Sequence, residues 1–547
     1  MQYARLAEAY ALLEQTPSRL QKVEAVSALL REIPGSLLRQ VTLLVQGTVF
    51  PAWDQRELGI ANQLMVKALA QAAGHAEEKV ADLFKREGDL GLVAERLARK
   101  QTTLAARKLS VEQVFENLQA VAGVEGHGAV ERKLALVAEL LSFASPAEAK
   151  YVVRTVLGTM RVGVAEGVIR DAIAVAFFLP EEKERAIQAV EWAWFLRSDY
   201  GEVSVIAKER GLPGLEEVGL EVGKPYHLLL AERVPSLEEG LKAYPRAVLE
   251  WKYDGARVAI HKRGQDIWLF TRRLEDITRQ FPEVADWARA ALLPRQVIVE
   301  GEMLAFRGKP LPFQDLSQRI KRKYDIEKIA AAIPVQVNLF DITLLEGRTL
   351  FKVTQEERRR LLEKSVRPLP GRLQLAQQLR PSGPAEAEQF YQQALDAGQE
   401  GVMIKNLDAS YQPGRRVGYW LKVKPTLEHL DLAIIGGTWG TGKRTGWLGS
   451  LVLGCRTPEG FRACGMIGTG IKEKGEGVTF AELTRLLKPA ILATRGSEVV
   501  LRPKIVVEVA YEEIQQSPTY ASGWALRFPR VVRIREDKPL DEVDDLA

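Results

Sequence analysis

The chain has 547 residues, 46% of them hydrophobic and 27% charged, which is ordinary for a globular protein and enough for three or four domains with separate cores. No apolar run approaches the roughly 20 residues of a membrane span, the charged amphipathic start Met1–Glu8 does not read as a signal peptide, and Cys455 and Cys464 are the only cysteines, which excludes a four-cysteine zinc site and a disulfide framework and points to the cytoplasm. A net charge of +5 and a pI near 8.9 permit a nucleic-acid partner without requiring one.

Residues 1–210 read as an all-α domain. Apolar positions recur at helical spacing, as in Val153, Val156, Leu157 and Met160. Ser110 with Gln113 forms a capping box ahead of Val111, Phe115 and Leu118. The run Ala172–Leu179 fits a core helix. Arg154 and Arg161 are seven apart, which places them on one face of a helix that Gly163 ends. Arginines near a helix end suit phosphate-backbone contact, a solvated basic face being the alternative. Scarce asparagine (Asn62, Asn117, Asn338 and Asn406) and cysteine fit a thermophile, although plentiful glutamine does not.

The pattern changes after Gly211-Leu212-Pro213-Gly214. Residues 220–425 interleave β-type runs with helices, so a mixed α/β domain is predicted. Its strands are expected at 297–304, 335–341, 401–405 and 419–424, and its helices at 355–363 and 385–397. Residues 426–547 become short strands and glycine turns around one helix at 479–487. That suits a small β-barrel of the OB-fold type.

The most informative run is Lys252-Tyr253-Asp254-Gly255-Ala256-Arg257. Strand-like residues lead into the Asp-Gly turn and out of it, which predicts a hairpin holding Lys252 rigidly. A fixed amine can serve as a nucleophile. The run resembles the Lys-x-Asp-Gly motif of the covalent nucleotidyltransferases, the DNA ligases, RNA ligases and mRNA capping enzymes. The resemblance implies that Lys252 attacks a nucleotide α-phosphate and carries the nucleoside monophosphate. It also places Glu250 and Arg257 at the nucleotide.

Further elements follow in the family's order. Arg272, after the strand at 267–270, matches an arginine serving phosphates. Val299-Glu300-Gly301-Glu302 puts two carboxylates on one strand face. The resemblance selects Glu302 for ribose or metal and leaves the role of Glu300 open. Phe340 is read as ending a strand, where the family stacks an aromatic on the base. Glu400-Gly401-Val402-Met403-Ile404-Lys405 matches a Glu-Gly-x-x-x-Lys element, with Glu400 facing metal and Lys405 near phosphate. Lys422 and Lys424 alternate on one strand face, with Leu421 and Val423 towards the core. The resemblance adds Arg416 to the nucleotide contacts, and Arg527 and Lys538 as contacts to the β- and γ-phosphates. Because those two lie on the barrel, it would swing over the site and away again.

The flanks narrow the family. The segment 151–164 closely resembles the helical DNA-binding domain of archaeal and eukaryotic replicative ATP-dependent DNA ligases. Arg319-Ile320-Lys321-Arg322-Lys323 looks like the archaeal type and is a plausible DNA-contacting surface through Arg319 and Lys321. The resemblance implies a helical domain, an α/β (ATP-grasp-like) nucleotidyltransferase domain and an OB-fold. The expected activity is ATP-dependent sealing of nicks in duplex DNA, serving replication, repair and recombination, with ATP and Mg²⁺ as cofactors. A monomer in the cytoplasm is expected, with no membrane partner. A sliding clamp is left open as a partner, since no clamp-binding peptide stands out.

Overall fold

The computed structural model describes residues 1–99, 108–322, 324–425, 429–440 and 444–545. Lys323 falls outside them. The chain divides into two compact units, Met1–Lys424 and Pro425–Ala547.

Among the described residues the first unit begins with twelve α-helices, from Tyr3–Gln15 to Tyr200–Glu216. Ser110 and Gln113 exchange both hydrogen bonds of the expected capping box, and Ser145 and Glu148 do the same at the helix Pro146–Val156. That helix stops earlier than its sequence suggests. Gly158 takes a left-handed φ of 64°, and the Thr159 N–H closes back on the Arg154 carbonyl at 2.8 Å. Arg161 therefore lies in a loop beyond the helix, and the predicted helix end at Gly163 is corrected to Val156. The last helix kinks at Gly211 (φ 63°, ψ −159°), just ahead of Pro213.

The α/β part holds strands β1 (Leu230–Arg233), β2 (Ala247–Trp251), β3 (Ala256–Arg263), β4 (Asp266–Thr271), β5 (Gln296–Ala305), β6 (Val335–Leu345), β7 (Arg348–Thr349), β8 (Leu373–Leu375), β9 (Gln378–Leu379), β10 (Val402–Asn406) and β11 (Arg416–Val423). They form two sheets. One has the order β1-β11-β10-β2-β9; the other has β4-β3-β5-β6-β7, with β8 beside β6. Each sheet has its own buried cluster. Leu249, Ile404, Leu421 and Phe390 centre the first, and Val258, Val299, Leu339 and Phe281 centre the second. A third cluster runs from the helices through Tyr226 and Leu229 to Phe340, Tyr411 and Trp420. That shared apolar contact makes one compact unit of the helical and α/β parts.

The predicted hairpin at Lys252 does not form. Strand β2 pairs with β10 and β9, whereas β3 pairs with β4 and β5. The Asp-Gly turn carries the chain from one sheet to the other, and Lys252 sits at the crossing. Period-two patterning identifies both strands but carries no information about their partners.

The second unit contains β12 (Leu430–Trp439), β13 (Leu448–Thr457), β14 (Gly460–Ile467), β15 (Ile491–Arg495), β16 (Glu498–Leu501), β17 (Val506–Ala510), β18 (Glu513–Gln516), β19 (Trp524–Arg527) and β20 (Arg530–Ile534). Strands β14, β13, β12, β16, β15, β17 and β20 share one antiparallel sheet, because the long β12 pairs β17 with its first half and β16 with its second. The sheet and the helix Phe480–Leu487 enclose a core of Leu432, Ile434, Leu453, Phe480 and Val507. This is the sheet-rich domain expected of the C-terminal region.

Candidate active site

Lys252 is held by its own backbone before its side chain is considered. Its N–H donates to the Gly401 carbonyl at 2.8 Å, and its carbonyl accepts from the Glu400 N–H at 2.9 Å. The next side chain, Tyr253, is buried, and its hydroxyl accepts the Gln377 N–H at 2.9 Å. Gly255 is needed for close approach, since a Cβ there would lie 2.4 Å from the Met303 carbonyl oxygen. The turn is thus pinned against both sheets.

The Lys252 ammonium pairs with Glu400 Oε2, and Lys424 Nζ reaches the same oxygen at 2.9 Å. Burial would raise the Glu400 carboxyl, but Lys252 and then Lys424 outweigh it and hold the group at about 2. Glu302 behaves oppositely. It lies deep in the cleft while keeping some solvent contact, and burial pushes it up to about 7. Lys252 and Arg257 restrain that rise; Glu400 and Asp254 add to it. Two carboxylates and two ammonium groups are therefore gathered around one point.

An aromatic group adjoins them through Arg257, which opposes Glu302 across β3 and β5. Glu300 pairs with Asp341 and Gly301 with Leu339 across β5 and β6, so Phe340 between them is a bulge residue rather than the end of a strand. Its ring is 8% exposed. Trp420 meets it edge-on at 5.8 Å, Arg257 lies 5.4 Å from its centroid and Lys405 lies 4.6 Å away. Glu250 is buried and pairs with Lys405 at 2.5 Å, while Gln378 Nε2 donates to it at 2.9 Å. Lys405 is 1% exposed. Its ammonium lies over the Phe340 and Trp420 rings at 4.6 Å and 4.3 Å.

Cations gather on the other side. Arg272 follows β4, and its guanidinium is drawn down by burial first and then by Arg257 and Arg416. Three guanidinium groups crowd one region, as suits a polyanion. Lys422 stands on β11 opposite Met403 of β10. In the second unit, Arg527 on β19 pairs with Glu513 of β18 at 3.1 Å, beside an exposed Phe528. Lys538 Nζ lies 2.6 Å from Asp431 Oδ2, an oxygen it shares with Arg535 at 2.7 Å.

Two of the expected DNA contacts are corrected. Arg154 is 3% exposed and held by Asp89 at 2.9 Å and Glu14 at 3.0 Å. Arg319 is fully buried; it binds Glu283 at 2.6 Å and two backbone carbonyls, and lies 4.3 Å over the Phe281 ring. Both are structural arginines, because a buried guanidinium is stable only when its donors are satisfied. Arg161 is exposed, takes a left-handed φ of 57° and touches Asp89 at 3.2 Å. Lys321 is exposed at the end of the helix Phe313–Ile320.

Trp420, Tyr226 and Tyr411 are buried against Arg257 and Glu300 without having been assigned to the site. Trp420 stands inside a motif between assigned lysines, and its bulk was the available signal. The two tyrosines lie outside every motif and reach the site only through tertiary packing.

Among the described residues no cluster of three or more His, Cys, Asp or Glu side chains could hold a metal, and no helix is long and apolar enough to cross a membrane. Both cysteines are free and buried.

Three family models match the chain: DNA ligase N terminus over residues 2–174, ATP dependent DNA ligase domain over 228–424, and ATP dependent DNA ligase C terminal region over 444–538. A DNA ligase of Nanoarchaeum equitans is 47% identical over 557 residues, spanning 100% of this chain and 97% of that protein. A DNA ligase of Thermococcus fumicolans is 42% identical, again over 100% of this chain and 97% of that protein. The solved structure named Pmar-Lig_Pre shares the fold, with a TM-score of 0.58 at 18% identity over 97% of this chain and 99% of that one. Three family models in order along the chain, with full-length similarity at this level, place the chain in the family of ATP-dependent DNA ligases.

Proposed function

We propose that Lys252 is the nucleophile of a three-step ligation. Its Nζ attacks the α-phosphorus of ATP, a P–N bond forms, and the bond to the β-phosphate oxygen breaks so that pyrophosphate leaves. The AMP then passes to the 5′-phosphate at a nick, freeing Lys252. The 3′-hydroxyl attacks that activated phosphate, AMP departs and the strand is sealed. The observation that carries this reading is the convergence of Lys252 and Lys424 on one oxygen of Glu400.

Each residue has a role in the scheme. Phe340 stacks on the base, and buried Glu250 accepts its exocyclic amino group. Arg257, Arg272 and Arg416 neutralise phosphate and hold the ribose side. Lys422 and Lys424 offset charge at the α-phosphate. Arg527 and Lys538 exchange their present carboxylate partners for the β- and γ-phosphates during the first step.

Glu302 and Glu400 would hold Mg²⁺. The donor set fits that ion, which is commonly bound by one or two carboxylates together with substrate phosphates. Burial raises the Glu302 carboxyl, a penalty on its charged form that a divalent cation bound to it would offset. When bound, the ion neutralises phosphate charge and stabilises the leaving pyrophosphate.

Duplex DNA is the substrate class of the family, and Arg161 and Lys321 are read as its backbone contacts. The enzyme is read as a cytoplasmic monomer, in keeping with two free buried thiols. Incubation with α-labelled ATP and Mg²⁺, followed by denaturing electrophoresis, should show label on the protein. A chase with nicked DNA should release it. A protein that stays unlabelled while still sealing nicks would refute the scheme.

A further inference from the structure

Glu300 is fully buried and has no part in the scheme above, yet three side chains converge on its carboxylate. The Tyr226 hydroxyl donates to Oε1 at 2.6 Å and the Tyr411 hydroxyl donates to the same oxygen at 2.5 Å. The Arg257 guanidinium pairs with Oε2. The other terminal nitrogen of Arg257 donates to the Leu229 carbonyl. Leu229 is itself fixed, because its N–H donates to the Tyr411 hydroxyl at 2.9 Å. Tyr226 is braced a second time by Thr343 Oγ1 at 2.8 Å. A buried carboxylate is tolerable only when its oxygens are satisfied, and here three donors satisfy them.

The outcome for Arg257 is immobilisation. Its two terminal nitrogens face Glu300 and Leu229, and the rings of Trp420 and Phe340 flank it at 5.1 Å and 5.4 Å. Its Nε–H is buried and has no hydrogen-bond partner within the protein. Glu300 and Leu229 thus engage two of the five N–H donors, and the Nε–H is among the three left over. Tyr226 and Leu229 belong to the segment that joins the helical part to β1, so the residues steering Arg257 come from the seam between the two parts.

We propose that Glu300, with Tyr226 and Tyr411, is a positioning residue that fixes the Arg257 guanidinium against ATP, and that the seating of residues 226–229 sets ATP affinity. This rests on the reading of Arg257 as a nucleotide contact. The test is the KM for ATP and the kcat of self-adenylation in the full chain carrying Glu300→Gln, Arg257→Gln or both. Loss of one charge-assisted bond should raise the Glu300→Gln KM about ten-fold with a smaller change in kcat. In the Arg257→Gln background the same substitution should change KM less than about two-fold. An unchanged KM for Glu300→Gln, or the same factor in both backgrounds, overturns the proposal. An unchanged KM for Arg257→Gln alone would instead remove the nucleotide reading on which it rests, and the proposal with it. If Glu300→Gln fails to fold, Tyr226→Phe with Tyr411→Phe keeps the shape of the core. That pair should raise KM by about three-fold or more, and a folded pair with wild-type KM overturns the proposal.

Discussion

At Lys252 the chemistry demands an amine that can lose its proton, held where a phosphate can reach it. Lys252→Ala should abolish labelling by α-labelled ATP. Lys252→Arg should be equally inactive, because a guanidinium stays protonated and is a poor nucleophile; labelled protein from either variant would exclude Lys252 as the carrier. The lysine was legible in the sequence because covalent nucleotidyl transfer ties a side-chain type to a fixed local spacing. Glu302 and Glu400 were singled out in the same way, and the structure gathers both around Lys252. Arg154 and Arg319 were misread because a basic residue near a helix end looks alike in sequence whether it faces water or a carboxylate. Asp89 lies 65 residues before Arg154 and Glu283 lies 36 before Arg319, separations that no local pattern encodes.

Most element positions followed from periodicity and caps, as at Ser110, at the predicted strand 297–304 and at the helix Gln355–Ser365, whereas the strand predicted at 335–341 runs on to Leu345. What the elements do to one another did not follow. The loop after Val156 separates two arginines that an unbroken helix would have aligned, and they meet at Asp89 instead. Arg154→Met should cost about 3 kcal/mol, since it leaves the buried Asp89 with only the exposed Arg161 as counter-charge. It should leave the salt dependence of DNA binding unaltered. Arg161→Ala should instead lower the slope of log affinity against log salt by about one. Reversed results in denaturation and salt titrations would restore Arg154 as the phosphate contact. Acid stability belongs to the same cluster. Burial would raise Glu14, but hydrogen bonds from Lys150, Arg154 and Tyr151 outweigh it and hold the group at about 2. A carboxyl depressed in the folded state stabilises above its ordinary value and loses that contribution as pH falls toward 2. The fall in stability between about pH 5 and pH 2 should therefore be shallower in Arg154→Met than in the parent. At the crossing between sheets, Gly401 adopts φ 132° with a Cβ position 2.3 Å from the Val423 carbonyl oxygen. Gly401→Ala should cost on the order of 3 kcal/mol and displace Glu400, lowering both the unfolding midpoint and the labelling rate.

For the whole molecule, the division into Met1–Lys424 and Pro425–Ala547 leaves Arg527 and Lys538 on a unit of their own. Each is paired within that unit, Arg527 with Glu513 and Lys538 with Asp431. A role for them at the β- and γ-phosphates is confined to the step in which those phosphates are present. Arg527→Ala and Lys538→Ala should therefore reduce self-adenylation about ten-fold or more while sparing the sealing of a pre-adenylated nick. Equal losses in the two assays would reject the moving-barrel reading. The amino-acid sequence by itself determined the order of helical, α/β and sheet-rich regions, and it singled out the lysine, carboxylates and aromatic proposed for the site. Periodicity, turn chemistry and motif spacing are local properties and survive in one dimension. Tertiary structure alone decided that β2 and β3 belong to different sheets, that Arg154 and Arg319 are buried, and that Tyr226, Tyr411 and Glu300 surround Arg257. Those outcomes depend on which distant surfaces exclude water together, and on burial that makes each charge require a partner.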